Sequence, residues 1–248
     1  MTTVKQAEKA LEIARTTVRQ WTDKAREARS VAAELDADAG SLILAGTPAN
    51  EVAVKINAAD LQARAFGQAA AEAEKQVKAA RRTLLEAWIA QYDRDTTKAR
   101  QEYDEHKAKI DDLLAQLKEL DGWDYKAADA PTALGSSYAI AHSAYLYRLW
   151  RQARNSAAYC RYSLQEEKHP AGGANLQQYG GDISWGEEMS GVMGPTPPAA
   201  VQYLAELDRE RSGQTILSAE PIEGPDVDHD ELDPVEDADL IAAMGGTR

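Results

Sequence analysis

Arginine and tyrosine alternate along residues 145–162, in a stretch that contains no acidic residue between Asp129 and Glu166. Guanidinium groups bind phosphates and aromatic rings stack on bases, so this combination is physically suited to nucleic-acid contact. The residues predicted to contact a nucleic acid or a protein partner are Arg148, Arg151, Arg154, Arg161, Tyr159 and Tyr162. We favour a structural alternative, in which the arginines pair with acidic residues of a neighbouring helix. The expected partners are Glu102, Glu105, Asp111 and Asp112.

The single cysteine, Cys160, is a second candidate for chemistry, because a thiolate is a nucleophile and His142 and His169 lie near it in sequence as candidate bases. Cys160 also falls on the apolar stripe of a predicted helix, where a cysteine usually behaves as a small buried hydrophobe. We predict a core position. His106 is predicted to be a hydrogen-bonded histidine on an apolar stripe, because no second His or Cys follows it at helical spacing.

The motifs of several common enzyme classes are absent from the sequence. It contains no glycine-rich phosphate loop, no HExxH, no GxSxG and no dinucleotide fingerprint. Asp226, Asp228 and Asp230 have the spacing of calcium-loop ligands, but Glu231 occupies the position that requires glycine. We therefore predict a protein that is not an enzyme and that binds no metal or cofactor.

The longest predicted element is a single α-helix from Thr47 to Gly122. Thr47 is a suitable N-cap, Pro48 suits the first helical position, and Gly122 favours the left-handed conformation that ends a helix. Gly67 is interpreted as a point of close approach between helices. The apolar stripe of the first half comprises Val52, Ile56, Ala59, Ala63, Phe66, Ala70, Ala73, Val77, Ala80 and Leu84. After a shift in spacing, the second stripe comprises Ala99, Tyr103, His106, Ile110, Leu113, Leu117 and Leu120.

A shorter helix, from about residue 3 to residue 36, precedes the long one. Thr3 and Gln6 have the spacing of a capping box. Ten apolar residues follow at alternating spacings of three and four, which is the pattern of a left-handed coiled coil. They are Val4, Ala7, Leu11, Ala14, Val18, Trp21, Ala25, Ala28, Ala32 and Leu35.

The two helices are predicted to form an antiparallel hairpin over residues 1–122, with helices at about 3–36 and 47–121, because a short connection makes antiparallel neighbours. Leu35 should then lie near Val52. At the other end, Val4 should lie near Leu84 or Trp88. The connection over residues 41–46 is apolar and is predicted to be a loop that folds over the end of the hairpin.

Residues 123–170 are predicted to contain a third helix, ending near residue 167, that packs on the second half of the long helix. Its stripe comprises Leu146, Trp150, Ala153, Ala157, Cys160 and Leu164. Residues 171–212 are predicted to hold a Gly-rich loop and a short helix. Residues 213–248 have the composition of a disordered acidic tail.

The tail carries ten acidic residues against Arg248 alone, and so accounts for nine of the thirteen net negative charges. The net charge of the chain therefore does not exclude nucleic-acid binding by the helices. A small apolar cluster near the end of the tail supplies candidate docking residues, which are Leu240, Ile241 and Met244. One hypothesis is that the acidic tail folds back and masks the arginines of the third helix.

Alanine dominates the apolar residues, and the chain has one phenylalanine, so the helices should pack closely along a long interface. The predicted fold is all-α: an elongated antiparallel coiled-coil hairpin extended into a small helical bundle. No stretch reaches the roughly 18 apolar residues of a membrane span, and the lone cysteine suits a reducing compartment. We expect a cytoplasmic protein that does not contact membranes.

Tyr125-x-x-x-Asp129 follows the predicted hairpin and is similar to the Tyr-x-x-x-Asp/Glu export signal of type VII secretion substrates. Those hairpins carry a Trp-x-Gly turn, whereas the turn here has no tryptophan. The resemblance implies a secreted helical protein as one alternative function. A nucleic-acid-binding regulator that uses the third helix is another.

The function that we favour is a non-enzymatic structural, assembly or adaptor protein. It would bind a protein partner or a second copy through its coiled-coil faces. In architecture alone, this plan resembles acidic, alanine-rich assembly factors of phages and mobile elements.

Overall fold

The computed structural model describes residues 2–126, 129, 138–170, 175–182 and 196–213, with side chains left out at 138–140. These residues form five α-helices, which all belong to one compact unit, and no β-strand. The helices are α1 (Val4–Ala37), α2 (Ala39–Leu44), α3 (Ala49–Asp121), α4 (Tyr138–Glu166) and α5 (Pro198–Arg211). A 3-10 helix spans Leu176–Tyr179. The predicted all-α class is confirmed.

α1 and α3 form the predicted antiparallel hairpin. The capping box is present, because Gln6 N donates to Thr3 Oγ1 at 3.3 Å and Thr3 N donates to Gln6 Oε1 at 3.0 Å. The rings of Trp21 and Phe66 stack 5.8 Å apart, which fixes the register. All ten predicted α1 positions are buried or partly buried. The coiled-coil pattern of the hairpin is therefore confirmed.

α3 has 73 residues, so it is about 110 Å long at 1.5 Å per residue. Gly122 ends it with φ of 78° and donates to Lys118 O at 2.8 Å, as predicted. The prediction of Thr47 as N-cap is wrong. Pro48 occupies the cap position, and Thr47 N instead donates to Leu42 O, because the preceding turn belongs to another helix.

That other helix is α2, which replaces the predicted apolar loop over residues 41–46. The segment continues directly from α1, since Leu42 N donates to Asp38 O at 3.0 Å. The prediction that it covers the end of the hairpin is also wrong for two of its apolar side chains. Ile43 is 46% exposed and Leu44 is 91% exposed.

α4 packs on the second half of α3, as predicted. Ile110 is buried, and the next buried leucine is Leu114, whereas Leu113 was predicted. The two buried positions are therefore four residues apart, where a spacing of three was predicted. Leu120 is 85% exposed, against the prediction. The antiparallel register explains this, because His142 lies opposite His106 and the described part of α4 therefore begins, at Tyr138, opposite the region of Ile110.

α5 packs on the hairpin and on α4. It buries Ala199, Ala200, Tyr203, Leu204 and Leu207 in the same apolar cluster as the first half of α1, the middle of α3 and Cys160 of α4. This cluster is the main core. Among the described residues, no helix is both long and apolar enough to cross a membrane.

Parts of the sequence predictions lie outside the described residues. These are the start of the third helix, the ends of the Gly-rich loop, and nearly all of the acidic tail with Leu240, Ile241 and Met244.

Candidate functional site

Three of the four candidate arginines of α4 form hydrogen bonds with residues 175–182, which lie in the predicted Gly-rich loop. We call these residues the docked segment. Arg151 Nε donates to Asp182 Oδ2 at 2.5 Å, and Arg154 Nε donates to the backbone carbonyl of Gly180 at 2.7 Å. Arg161 Nη1 donates to the carbonyl of Tyr179 at 3.1 Å. These guanidinium groups therefore have structural partners.

The docked segment also packs closely against two short side chains of α4, Asn155 and Ala158. Asn155 is fully buried, and its Oδ1 accepts a hydrogen bond from Asp182 N at 3.0 Å. A Cβ at Gly181 would lie 3.1 Å from Ala158 Cβ and 3.0 Å from Leu176 O. A side chain at position 181 would therefore be crowded, whereas a Cβ at Gly67 would meet Arg29 Nη2 at an ordinary 3.7 Å. The predicted close approach at Gly67 is wrong.

Arg161 in addition crosses to the long helix, where its Nη2 binds both carboxylate oxygens of Asp93, at 2.5 and 2.6 Å. Pairing between α4 and α3 was predicted, but with other acids. Of those, Glu102 pairs with Lys98 at 3.8 Å within α3. Glu105 and Asp112 likewise accept hydrogen bonds from α3 side chains four residues away. Helical spacing favours these local partners.

Tyr159 and Tyr162 are buried, with 3% and 7% of their surfaces exposed. Tyr162 packs edge-on against Tyr179 of the docked segment, with centroids 5.2 Å apart. Burial raises the pKa of Tyr159 to about 12. Neither ring offers a face for stacking on a base, so neither residue belongs to the candidate nucleic-acid interface.

The aromatic surface that does face solvent lies further toward the N-terminus of α4. Tyr145 is 46% and Tyr147 is 40% exposed, and Arg148 lies over the Tyr145 ring at 5.7 Å. Below them, Trp150 is contacted by the guanidinium of Arg100 at 4.7 Å from its centroid. Arg151 lies over the Tyr147 ring at 5.8 Å, but its guanidinium is also paired with Asp182.

Cys160 is fully buried in the main core, which confirms the predicted core position. Burial raises the pKa of its thiol to about 12, so the thiolate is strongly disfavoured at neutral pH. His169 Nδ1 lies 3.4 Å from the hydroxyl of Tyr159. His106 meets His142 edge-to-face at 4.7 Å, a proximity across two helices that spacing within one helix could not indicate. Among the described residues, no three His, Cys, Asp or Glu side chains cluster as metal ligands would.

An open cleft of about 530 Å³ lies beside α4, lined by Arg82, Arg161, Leu164, Gln165, Gln178 and Tyr179. Its two guanidinium groups are already paired, Arg161 with Asp93 and Arg82 with Glu167 at 3.6 Å. The cleft therefore lacks an unpaired charge for a ligand.

Sequence reasoning missed a buried ion-pair network that joins α5 to the hairpin. Arg81 is 3% exposed, contacts Glu206 and donates to Glu210 Oε1 at 2.8 Å, while Arg15 of α1 also binds Glu206. Arg81 Nη2 is buried without a hydrogen-bond partner in the described part of the chain. In the sequence, Arg81 adjoins the apolar stripe at Ala80. An arginine at the edge of a stripe looks the same in sequence whether it is buried or exposed to solvent.

The residues of the secretion-like motif take part in local contacts after α3. The hydroxyl of Tyr125 donates a hydrogen bond to Asp121, and Asp129 Oδ2 accepts one from Lys126 N at 2.9 Å. These contacts do not test export, so the motif stays a prediction.

Comparison with protein-family models, curated proteins and solved structures finds no match to this chain.

Proposed function

We propose that this protein is a non-enzymatic assembly or adaptor protein that binds other proteins through one half of its hairpin. We define the distal hairpin as residues 22–37 of α1, all of α2 and residues 49–68 of α3. The proximal hairpin is the remainder of α1 with residues 69–92 of α3. The proposal depends on a difference between these halves.

The observation that carries the proposal is that the main core cluster contains no residue of the distal hairpin. The proximal hairpin is covered by α4 and α5, whereas the buried residues of the distal hairpin lie on α1 and α3 within the described part of the chain. Its buried residues are Ala25, Ala28, Ala32, Val52, Ala59 and Ala63. Alanine buries a single methyl group, so this half gains little from its own core.

The distal hairpin also presents large apolar side chains to solvent. They are Val31, Ile43, Leu44, Val54 and Leu61, with exposures from 44% to 91%. Exposed apolar surface on a segment with a weak core is typical of a protein-binding surface. The buried thiol and the paired guanidinium groups of α4 leave less support for catalysis or phosphate binding.

Site-specific photo-crosslinking tests this proposal. A benzophenone amino acid is placed at Leu44 and, as a control, at the exposed Glu86 of the proximal hairpin, in cells that naturally make the protein. We expect a discrete covalent adduct from position 44 and none from position 86. The absence of an adduct at position 44, or equal adducts at both positions, would contradict the proposal.

Nucleic-acid binding is a second candidate, favoured by the exposed Tyr145, Tyr147 and Arg148. If it holds, Arg148→Ala should weaken a salt-sensitive gel shift with single-stranded nucleic acid, because phosphate contacts depend on ionic strength. A gel shift that is absent, or that is unchanged in the variant, would eliminate this candidate.

A further inference from the structure

α3 carries a second apolar stripe within the distal hairpin, which we call the outer stripe. It consists of Val54, Ala58, Leu61 and Ala65, spaced four, three and four residues apart. Val54 is 66% exposed and Leu61 is 68% exposed, and both alanines are exposed. This spacing is that of a coiled-coil face, so the stripe suits another helix as its partner.

The outer stripe points away from α1. The positions of α3 that pack on α1 include Val52, Ala59 and Ala63, and the outer stripe lies two residues further on. Two residues correspond to a rotation of about 200° around the helix axis. α3 therefore has apolar faces on opposite sides here, as a helix in the middle of a bundle does.

The outer stripe is limited to the distal hairpin. The next positions in its spacing are Gln68, Glu72 and Lys75, which are polar and exposed. Its partner must therefore be a short helical surface of about three turns, with small and large apolar residues in alternation.

A second copy of α3 provides such a surface. If two α3 helices run antiparallel about a two-fold axis midway between Ala58 and Leu61, each Leu61 faces an Ala58 of the other copy. Each Val54 then faces an Ala65. Large side chains thus meet small ones in every layer, which is the complementarity that closely packed helices need.

The flanking residues are compatible with this arrangement. In an antiparallel pair, Lys55 of one copy lies near Gln62 of the other, and Asn57 lies near Arg64. No like charges meet across the interface, and the helix dipoles run in opposite directions.

We propose that two copies of the chain associate through the outer stripe, with antiparallel α3 helices, so that two distal hairpins form one layer with the two α3 helices in its middle. This inference rests on the proposed function and names its partner. The contact is isologous, so it closes as a dimer.

The solution mass of the full-length protein, measured by light scattering over a range of concentrations, tests the proposal. One chain has a mass of 27.0 kDa, and the mass should rise toward twice that value with concentration. Leu61→Glu should remain a monomer at every concentration, because it places one carboxylate in each of two apolar layers. Leu120→Glu, the matched change at an exposed leucine of the same helix, should dimerise as the natural chain does.

Circular dichroism establishes that both variants are folded, which we expect because both leucines are exposed. A natural chain that is monomeric throughout, or a dimer that Leu61→Glu leaves intact, would overturn the inference. If the chain is monomeric while position 44 still crosslinks to a different protein, the proposed function stands and only self-association fails. If neither is seen, both fail.

The orientation is tested by a nitroxide label at Glu51→Cys in the dimer, since the natural Cys160 is buried and does not compete for label. Antiparallel helices about the stated axis separate the two labels by about 25 Å along the helix at 1.5 Å per residue. Parallel helices would bring them within roughly 10 Å. A short distance would overturn the antiparallel arrangement.

Discussion

Two glycines of this molecule differ in how closely other atoms surround them. Gly67 and Gly181 look alike in sequence, yet only Gly181 has neighbours within 3.1 Å of an added Cβ. Because glycine weakens a helix interior, Gly67→Ala should raise the free energy of unfolding by about 0.5–1 kcal/mol. Gly181→Ala should lower it by about 1–3 kcal/mol, because Leu176 O is a backbone atom that cannot yield freely.

Urea denaturation of both glycine variants checks this pair of predictions. Destabilisation by Gly67→Ala would show that the two hairpin helices are closer at this position than the 3.7 Å contact with Arg29 indicates.

The raised pKa of the Cys160 thiol predicts how the free energy of unfolding depends on pH. Burial raises its thiol pKa to about 12 in the folded chain, against an ordinary value of 9.0. The thiol therefore adds stability that is fully present below about pH 9, because the unfolded chain alone ionises above that value. This contribution is lost as pH rises toward 12, at up to about 1.4 kcal/mol per pH unit.

The measurement is the free energy of unfolding of the natural chain and of Cys160→Ala between pH 8 and pH 11. The natural chain should lose stability more steeply above pH 9. Parallel curves would show that the thiol ionises equally in both states.

At the scale of elements, α5 is attached to the hairpin by a buried charge network. Glu206→Gln should lower the free energy of unfolding by about 3 kcal/mol, because Arg81 stays buried with less compensation. Glu72→Gln, which removes the exposed pair with Lys75, should change it by less than about 0.5 kcal/mol. Thermal unfolding of both variants provides the comparison, and equal effects would argue against a tightly docked α5.

The helices and their core faces were predictable because coiled-coil periodicity is a local property. Val18 and Val77 lie on regular stripes, and the structure buries both. The shift from Leu113 to Leu114 was not predictable, because it depends on where α4 begins along α3. Periodicity fixes which side of a helix is apolar, but a partner of unknown length decides how much of that side is covered.

The candidate site was less accessible from sequence than the fold. Pairing of α4 arginines with acidic residues of α3 was predictable in kind, and Arg161 pairs in this way with Asp93. The partners themselves depend on the docked segment, whose Gly180 and Tyr179 bind through backbone carbonyls that no sequence pattern marks. Arg81 and Glu206 are 125 positions apart and meet only after α5 has packed.

At the scale of the whole helical unit, the hairpin has two halves of different construction. The proximal hairpin belongs to a core built from four helices, whereas the distal hairpin is built from α1, α2 and α3 and its buried residues are mainly alanine. The outer stripe lies in the half that has the weaker core. Association would therefore add apolar contacts where the isolated chain has fewest.

Hydrogen–deuterium exchange of the full-length protein, at low and high concentration, tests this division most directly. We predict that distal amides of α1 and α3 exchange at least about tenfold faster than proximal amides in dilute solution, because fewer contacts oppose their opening. They should slow at high concentration, while proximal amides do not change. Equal protection of both halves, independent of concentration, would contradict the account.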